Sequence, residues 1–118
     1  MSVVKGFVVK DSVKINDFEE RSVGHVRLAI SEGCRKYDKE KKEYVNIEGR
    51  SPLYISVEYW GTKEDVHGKF DSMNGSRDLY EATGLLCMKS YKREDGTESA
   101  TPFMQALVVA PKKSIENA

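Results

Sequence analysis

The chain has 118 residues, which at about 150 residues per domain is one domain. Nineteen Lys+Arg against nineteen Asp+Glu give a formal net charge of zero, which excludes a histone-like or protamine-like polycation while leaving room for a local basic groove. The longest unbroken apolar run, Ala106-Leu-Val-Val-Ala110, is far short of the ~20 residues of a membrane helix, and residues 1–10 have no secretory-signal pattern. Cys34 and Cys87 lie far apart without a Cys-x-x-Cys, so the expectation is a reduced, cytoplasmic protein, with one disulfide as the lesser alternative.

Taken in chain order, the first predicted strand is Val3–Lys10, valine-rich around Gly6. The second, Val23–Ser31, alternates cleanly, with Val26, Leu28 and Ile30 on one side and His25, Arg27 and Ala29 on the other. A charged hairpin from Arg35 to Arg50 follows, containing Arg35-Lys36-Tyr37 and Lys41-Lys42-Glu43-Tyr44. Its charge is nearly balanced, so it can meet an anionic partner only through local clusters. The third strand, Leu53–Trp60, is the strongest signal. Leu53, Ile55, Val57 and Tyr59 share the expected core face, and Tyr54, Ser56, Glu58 and Trp60 share the other. Lys63–Phe70 is the one expected helix, broken by Asn74-Gly75-Ser76. Leu85–Lys92 and Pro102–Ala110 close the chain as strands, joined through Glu94-Asp95-Gly96, a hairpin turn. Residues 111–118 are expected to form a short flexible tail after a domain spanning 1–110.

Five strands with a helix between the third and fourth is the order of an all-β OB-fold, a small Greek-key barrel. An SH3-like barrel and an antiparallel sandwich are the alternatives.

The chemistry-bearing residues point away from catalysis. No phosphate-cradling glycine motif is present. His25 and His67 have no cysteine or carboxylate arrayed beside them at ligand spacing and read as surface histidines. Neither cysteine has a local histidine to activate it. The aromatic residues say more. A strand face with Ser56 and Glu58 is wet, yet it holds Tyr54 and the chain's single tryptophan, Trp60. Aromatic side chains on a wet strand suit stacking on flat ligands, nucleotide bases above all; burial under a loop or a subunit is the other explanation. In Cys87-Met-Lys-Ser-Tyr-Lys-Arg93, alternation groups Cys87, Lys89, Tyr91 and Arg93, a basic–aromatic–basic row that sets phosphate attraction beside a stacking ring. Lys63–Glu81, by contrast, is acidic on balance.

The order of these features resembles the bacterial and phage single-stranded DNA-binding (SSB) proteins. The matching points are Gly6, His25–Ser31 running into Arg35-Lys36-Tyr37, Trp60-Gly-Thr-Lys63, Asn74-Gly-Ser76 with Gly84, Lys89-Ser-Tyr91 with Asp95-Gly96, and the closing strand Phe103–Val109. The resemblance spans roughly residues 3 to 110. It implies an OB-fold, no enzymatic activity, no cofactor, no membrane association and a homo-dimer or homo-tetramer. It also implies protection of single-stranded DNA during replication, recombination or repair. The residues it implies for stacking are Tyr54, Trp60, Tyr91 and, less securely placed, Tyr37; from the local basic clusters, Arg35, Lys36, Lys89, Lys92 and Arg93 are expected to guide phosphates. Two features depart from the pattern. Pro111–Ala118 has no acidic tip of the kind that recruits replication proteins, and tyrosine outnumbers tryptophan among the stacking positions. Both departures fit a phage, plasmid or mobile-element member acting in a bacterial cytoplasm, or a related primosomal protein. An OB-fold adaptor for a primosome or conjugation complex is the alternative function.

Overall fold

The computed structural model describes residues 1–112. Its strands are β1 (Ser2–Val8), β2 (Lys14–Asp17), β3 (Arg21–Ile30), β4 (Arg35–Asp38), β5 (Glu43–Asn46), β6 (Leu53–Thr62), β7 (Leu79–Lys92) and β8 (Glu98–Pro111), with the helix α1 (Lys63–Met73) between β6 and β7. The sheet order is β1-β7-β8-β6-β3-β2, and β1 also pairs with β3. That last pairing closes a five-stranded ring of β1, β7, β8, β6 and β3, in which β6 and β8 run parallel. The five ring strands are those expected from the sequence. Closure, together with the helix placed after the third ring strand, decides for the OB-fold over a sandwich or an SH3-like barrel.

The inward positions fill the barrel. Val26 and Leu28 from β3, Ile55 and Val57 from β6, Tyr80 and Ala82 from β7, and Met104, Ala106 and Val109 from β8 form one buried cluster. The helix plugs one end of it. Val66, Phe70 and Met73, spaced i, i+4, i+7, present a single apolar face to the core. Thr62 caps the helix by accepting from the Asp65 backbone N–H at 3.2 Å, and Glu64 and Asp65 sit favourably in its first turn. The helix runs one turn past the expected Phe70, which lets Met73 reach the core. Phe70 lies flat on Gly24, where a Cβ would stand 2.6 Å from the ring. Gly84 is tighter still: a Cβ there would lie 2.1 Å from the Gln105 carbonyl oxygen, next to the bulge where β7 and β8 slip register.

Three differences from the sequence expectation have physical causes. β7 begins at Leu79 rather than Leu85; after Tyr80 its inward residues are Ala82 and Gly84, small enough at Gly84 to admit the close approach of β8 but weak as a strand signal. β2 is charged and short and exists by pairing with β3. Leu53 has the inward phase of a core residue but is 53% exposed, since it sits at the rim where the ring ends. β8 extends to Pro111, and the Lys112 N–H donates to the Leu79 carbonyl at 2.7 Å. The remainder of the expected tail, 113–118, lies outside the described residues.

Two hairpins extend beyond the ring. β7 and β8 stay paired as far as Lys92 with Glu98, and turn at Gly96, whose φ of 86° only glycine adopts without cost. β4 and β5 form a separate two-stranded sheet between the end of β3 and the start of β6.

Candidate nucleic-acid interface

The cross-strand register lays one continuous surface across four strands. Arg27 opposes Ser56, His25 opposes Glu58, Ser56 and Glu58 lie beside Phe103 and Gln105, and Phe103 and Thr101 oppose Cys87 and Lys89. The surface therefore carries the outward residues of β3, β6, β8 and β7. It runs from Trp60, at the helix end of the barrel, past Glu58 and Ser56 to Tyr54 and on to the β7–β8 hairpin with Tyr91.

Three aromatic rings on this surface have a cation beside them. The Arg21 guanidinium lies 5.9 Å from the Trp60 ring centre, that of Arg27 5.3 Å from Tyr54, and the Lys89 ammonium 4.7 Å from Phe103. Tyr91 pairs across the hairpin with Ser99, and Ser99 and the neighbouring Arg93 hold its hydroxyl pKa below the usual value. Such ring–cation pairs are attractive in themselves. A positive charge beside a ring is also the arrangement that a flat group followed by an anionic one would fit.

Trp60 is further fixed. Phe18 stacks on it with ring centroids 5.6 Å apart and planes 22° from parallel, and its indole N–H donates to Glu58 Oε1 at 2.9 Å. Glu58 also bonds His25 at 3.0 Å. Partial burial works to raise the Glu58 pKa, but the hydrogen bonds from His25 and Trp60 outweigh it and keep the carboxyl below its usual value.

Between the β1–β2 loop and the sheet lies a cleft of about 440 Å³, lined by Lys10, Lys14, His25, Arg27, Ser56, Lys89, Thr101 and Phe103 among others. The loop is pinned over it by Ser12, whose hydroxyl donates to the Val9 carbonyl at 2.6 Å and accepts from the Arg27 N–H at 3.2 Å. Cations outnumber the acids on this surface, Asp11 and Glu58, and Glu58 faces a histidine.

Of the residues singled out in the sequence, the structure brings Tyr54, Trp60, Lys89, Tyr91 and Arg93 to this surface. Lys92 alternates to the opposite side of the β7–β8 hairpin, with Ser90 and Met88. Arg35, Lys36 and Tyr37 stand on the β4–β5 hairpin, where Tyr37 packs edge-on against Tyr44 at 5.3 Å. This hairpin joins the barrel at Ile30 and Leu53, beside Tyr54. Tyr59 points the other way: it stacks on Phe70 and its hydroxyl donates to Asp65 Oδ2 at 2.6 Å, a bond that, with burial, pushes its pKa up to about 12.

The sequence reading passed over Phe18, Arg21, His25, Arg27 and Phe103. Alternation had set His25 and Arg27 on the outward side of β3. Only the register shows that this side abuts Glu58 and Tyr54. Cys34 and Cys87 are free thiols, and among the described residues no cluster of three histidine, cysteine or carboxylate side chains is placed to hold a metal ion. Likewise no helix among them is long and apolar enough to cross a membrane.

No protein-family model matches the sequence, and no curated protein matches it by sequence. Solved structures do match the fold. The small single-stranded DNA-binding protein from Streptomyces coelicolor superposes with a TM-score of 0.70 over 99% of this chain and 95% of that one, at 15% identity. The second single-stranded DNA-binding protein (SSBb) from Mycobacterium smegmatis gives a TM-score of 0.54 over 93% and 85%, at 19% identity. The chain therefore has the OB-fold in the form in which bacterial single-stranded DNA-binding proteins carry it.

Proposed function

We propose that this protein binds single-stranded DNA without strict sequence specificity, covering exposed strands during replication, recombination or repair. The observation that carries the proposal is the row of aromatic–cation pairs, Trp60–Arg21, Tyr54–Arg27 and Phe103–Lys89, on one barrel surface. A single strand offers the complementary repeat, a flat base followed by a phosphate. Every base has a π-face, so stacking on these rings tolerates sequence; the phosphates release counterions as the cations take their place. Arg35 and Lys36 on the β4–β5 hairpin, with Tyr37, add attraction along the path that leaves Tyr54, whereas Lys92, behind the β7–β8 hairpin, faces away from it. A duplex buries its base faces and cannot use the rings. No residue is assigned a catalytic step.

The proposal includes a homo-dimer or homo-tetramer working in a bacterial cytoplasm. Val3, Leu85, Leu107 and Val108 support the assembly, being more than half exposed on β1, β7 and β8, where a second subunit would cover them. The other function, an OB-fold adaptor in a primosome or conjugation complex, is favoured by one observation: Phe18 already covers part of the Trp60 ring.

Fluorescence anisotropy with an end-labelled oligo(dT) and the corresponding duplex tests the proposal. Saturable binding of the single strand with much weaker binding of the duplex is expected. Equal affinity for both, or for neither, would refute it.

A further inference from the structure

Glu58 is out of place on a surface built to receive phosphates. Its carboxylate sits mid-face on β6, between Trp60 and Ser56, with a side chain 19% exposed. A negative charge there weakens the pull on the DNA backbone, so a purely sequence-blind surface gains nothing from it. Neither is it a loose surface acid. Trp60 Nε1 holds Oε1 at 2.9 Å and His25 Nε2 meets Oε2 at 3.0 Å, so the group is oriented rather than mobile.

An ionised carboxylate has about four lone-pair directions and accepts only. Two are used here, and the exposed remainder opens onto the surface where a base stacked on Trp60 or Phe103 would present its edge. In a single strand the Watson–Crick edges are unpaired. Cytosine, adenine and guanine carry an amino donor on that edge; thymine carries carbonyl oxygens, which a carboxylate repels, flanking a single N–H.

We infer that Glu58 is a base-reading residue, giving the protein a graded preference for amino-bearing bases over thymine within otherwise sequence-tolerant binding. The inference rests on the proposed single-strand binding and deepens it. Glu58 takes the amino donor of the stacked base, His25 and Trp60 hold it in position, and the neighbouring cations take phosphates whatever the base.

Cytosine against thymine is the cleanest comparison, because ring size and stacking are similar. Short homo-oligomers of dC, of dT, and of the deoxynucleoside of pyrimidin-2-one (cytosine without its amino group) are titrated at neutral pH into wild type, Glu58→Leu and Glu58→Gln. The dC-to-dT affinity ratio of wild type should exceed that of Glu58→Leu by about fivefold or more. Glu58→Gln, whose amide can donate to thymine O4, should move the ratio further toward dT. Wild type should also bind the pyrimidin-2-one strand about fivefold more weakly than dC.

A ratio unchanged between wild type and both variants, with pyrimidin-2-one bound as tightly as dC, would overturn the inference and leave Glu58 as a prop for Trp60. If a variant does not fold, the wild-type comparison of dC with pyrimidin-2-one decides alone. Failure of wild type to bind any of the strands would sink the single-strand proposal itself, a different result from binding without preference.

Discussion

Removing Arg27 and Lys89 together tests how the surface attracts a strand. Each stands over a ring, Arg27 over Tyr54 and Lys89 over Phe103, and both line the cleft beneath the β1–β2 loop. The cations facing this surface are Lys10, Lys14, Arg21, Arg27, Lys89 and Arg93. If each neutralises one phosphate, log K against log salt should fall with a slope of about −4.2, at roughly 0.7 per phosphate on single strands. Arg27→Ala with Lys89→Ala should flatten that slope by about 1.4. The change should be equal on poly(dT) and mixed sequence, because phosphates carry no sequence information. Lys92→Ala is the internal control: Lys92 points to the opposite side of the hairpin, so its slope should stay within about 0.3 of wild type, under half of one phosphate contact. The assay is anisotropy of a labelled oligonucleotide over a salt series. A wild-type slope near zero with affinity intact, or a Lys92 effect as large as that of Lys89, would refute this account of the surface.

Trp60→Ala, Tyr54→Ala and Tyr91→Ala should each weaken binding by about 1–3 kcal/mol at every salt concentration, with little change of slope. Tyr59→Phe, on the inner side of the same strand, should instead lower stability by about 1 kcal/mol in urea unfolding through loss of the Asp65 bond, with affinity unchanged. Gly84→Ala should destabilise the barrel by on the order of 3 kcal/mol, since its Cβ would meet backbone on β8 and no side chain can yield; a thermal shift near zero would contradict the close approach. His67 links α1 to β2 through Asp17, 2.8 Å away, and Ser22 also donates to that carboxylate. The Asp17 bond raises the His67 pKa above 6.5, and the bonds from Ser22 and His67 lower that of Asp17 below 3.8. The histidine's contribution is thus complete below its unfolded pKa and fades as pH climbs through the raised one. That of Asp17 is present above its unfolded pKa and fades as pH falls below it. The Tm difference between wild type and His67→Gln should be widest near about pH 5.5 and close in alkaline solution; a difference that grows with pH would contradict the link.

How much of this was legible in the sequence depended on which information sets each feature. Leu53–Trp60 gave its two faces directly, because alternation in a strand is a local property: Ile55 and Val57 are buried, Tyr54 and Trp60 exposed. The helix was legible for the same reason, from the local run Lys63–Phe70 and the break at Asn74-Gly75-Ser76. What alternation cannot supply is register between strands. His25 and Glu58 are 33 positions apart, and Lys89 meets Phe103 only because β7 and β8 pair in one register through a bulge at Gly84. For this reason Phe103, although inside a predicted strand, did not stand out as a site residue. Phe18 lies in a short turn among acids, with no periodicity to mark it. The start of β7 escaped in part because Ala82 and Gly84, its inward residues before the bulge, are small, the reverse of what marks a strand by composition.

The most direct test of the central claim, that the outer face of the barrel carries the single strand, is intrinsic fluorescence. Trp60 is the only tryptophan and sits on that face, 40% exposed. Titrating the protein with oligo(dT) at low salt should quench Trp60 saturably, with the midpoint found by anisotropy of the labelled strand. Anisotropy showing binding while Trp60 emission stays unchanged would place the DNA elsewhere on the molecule and contradict the account.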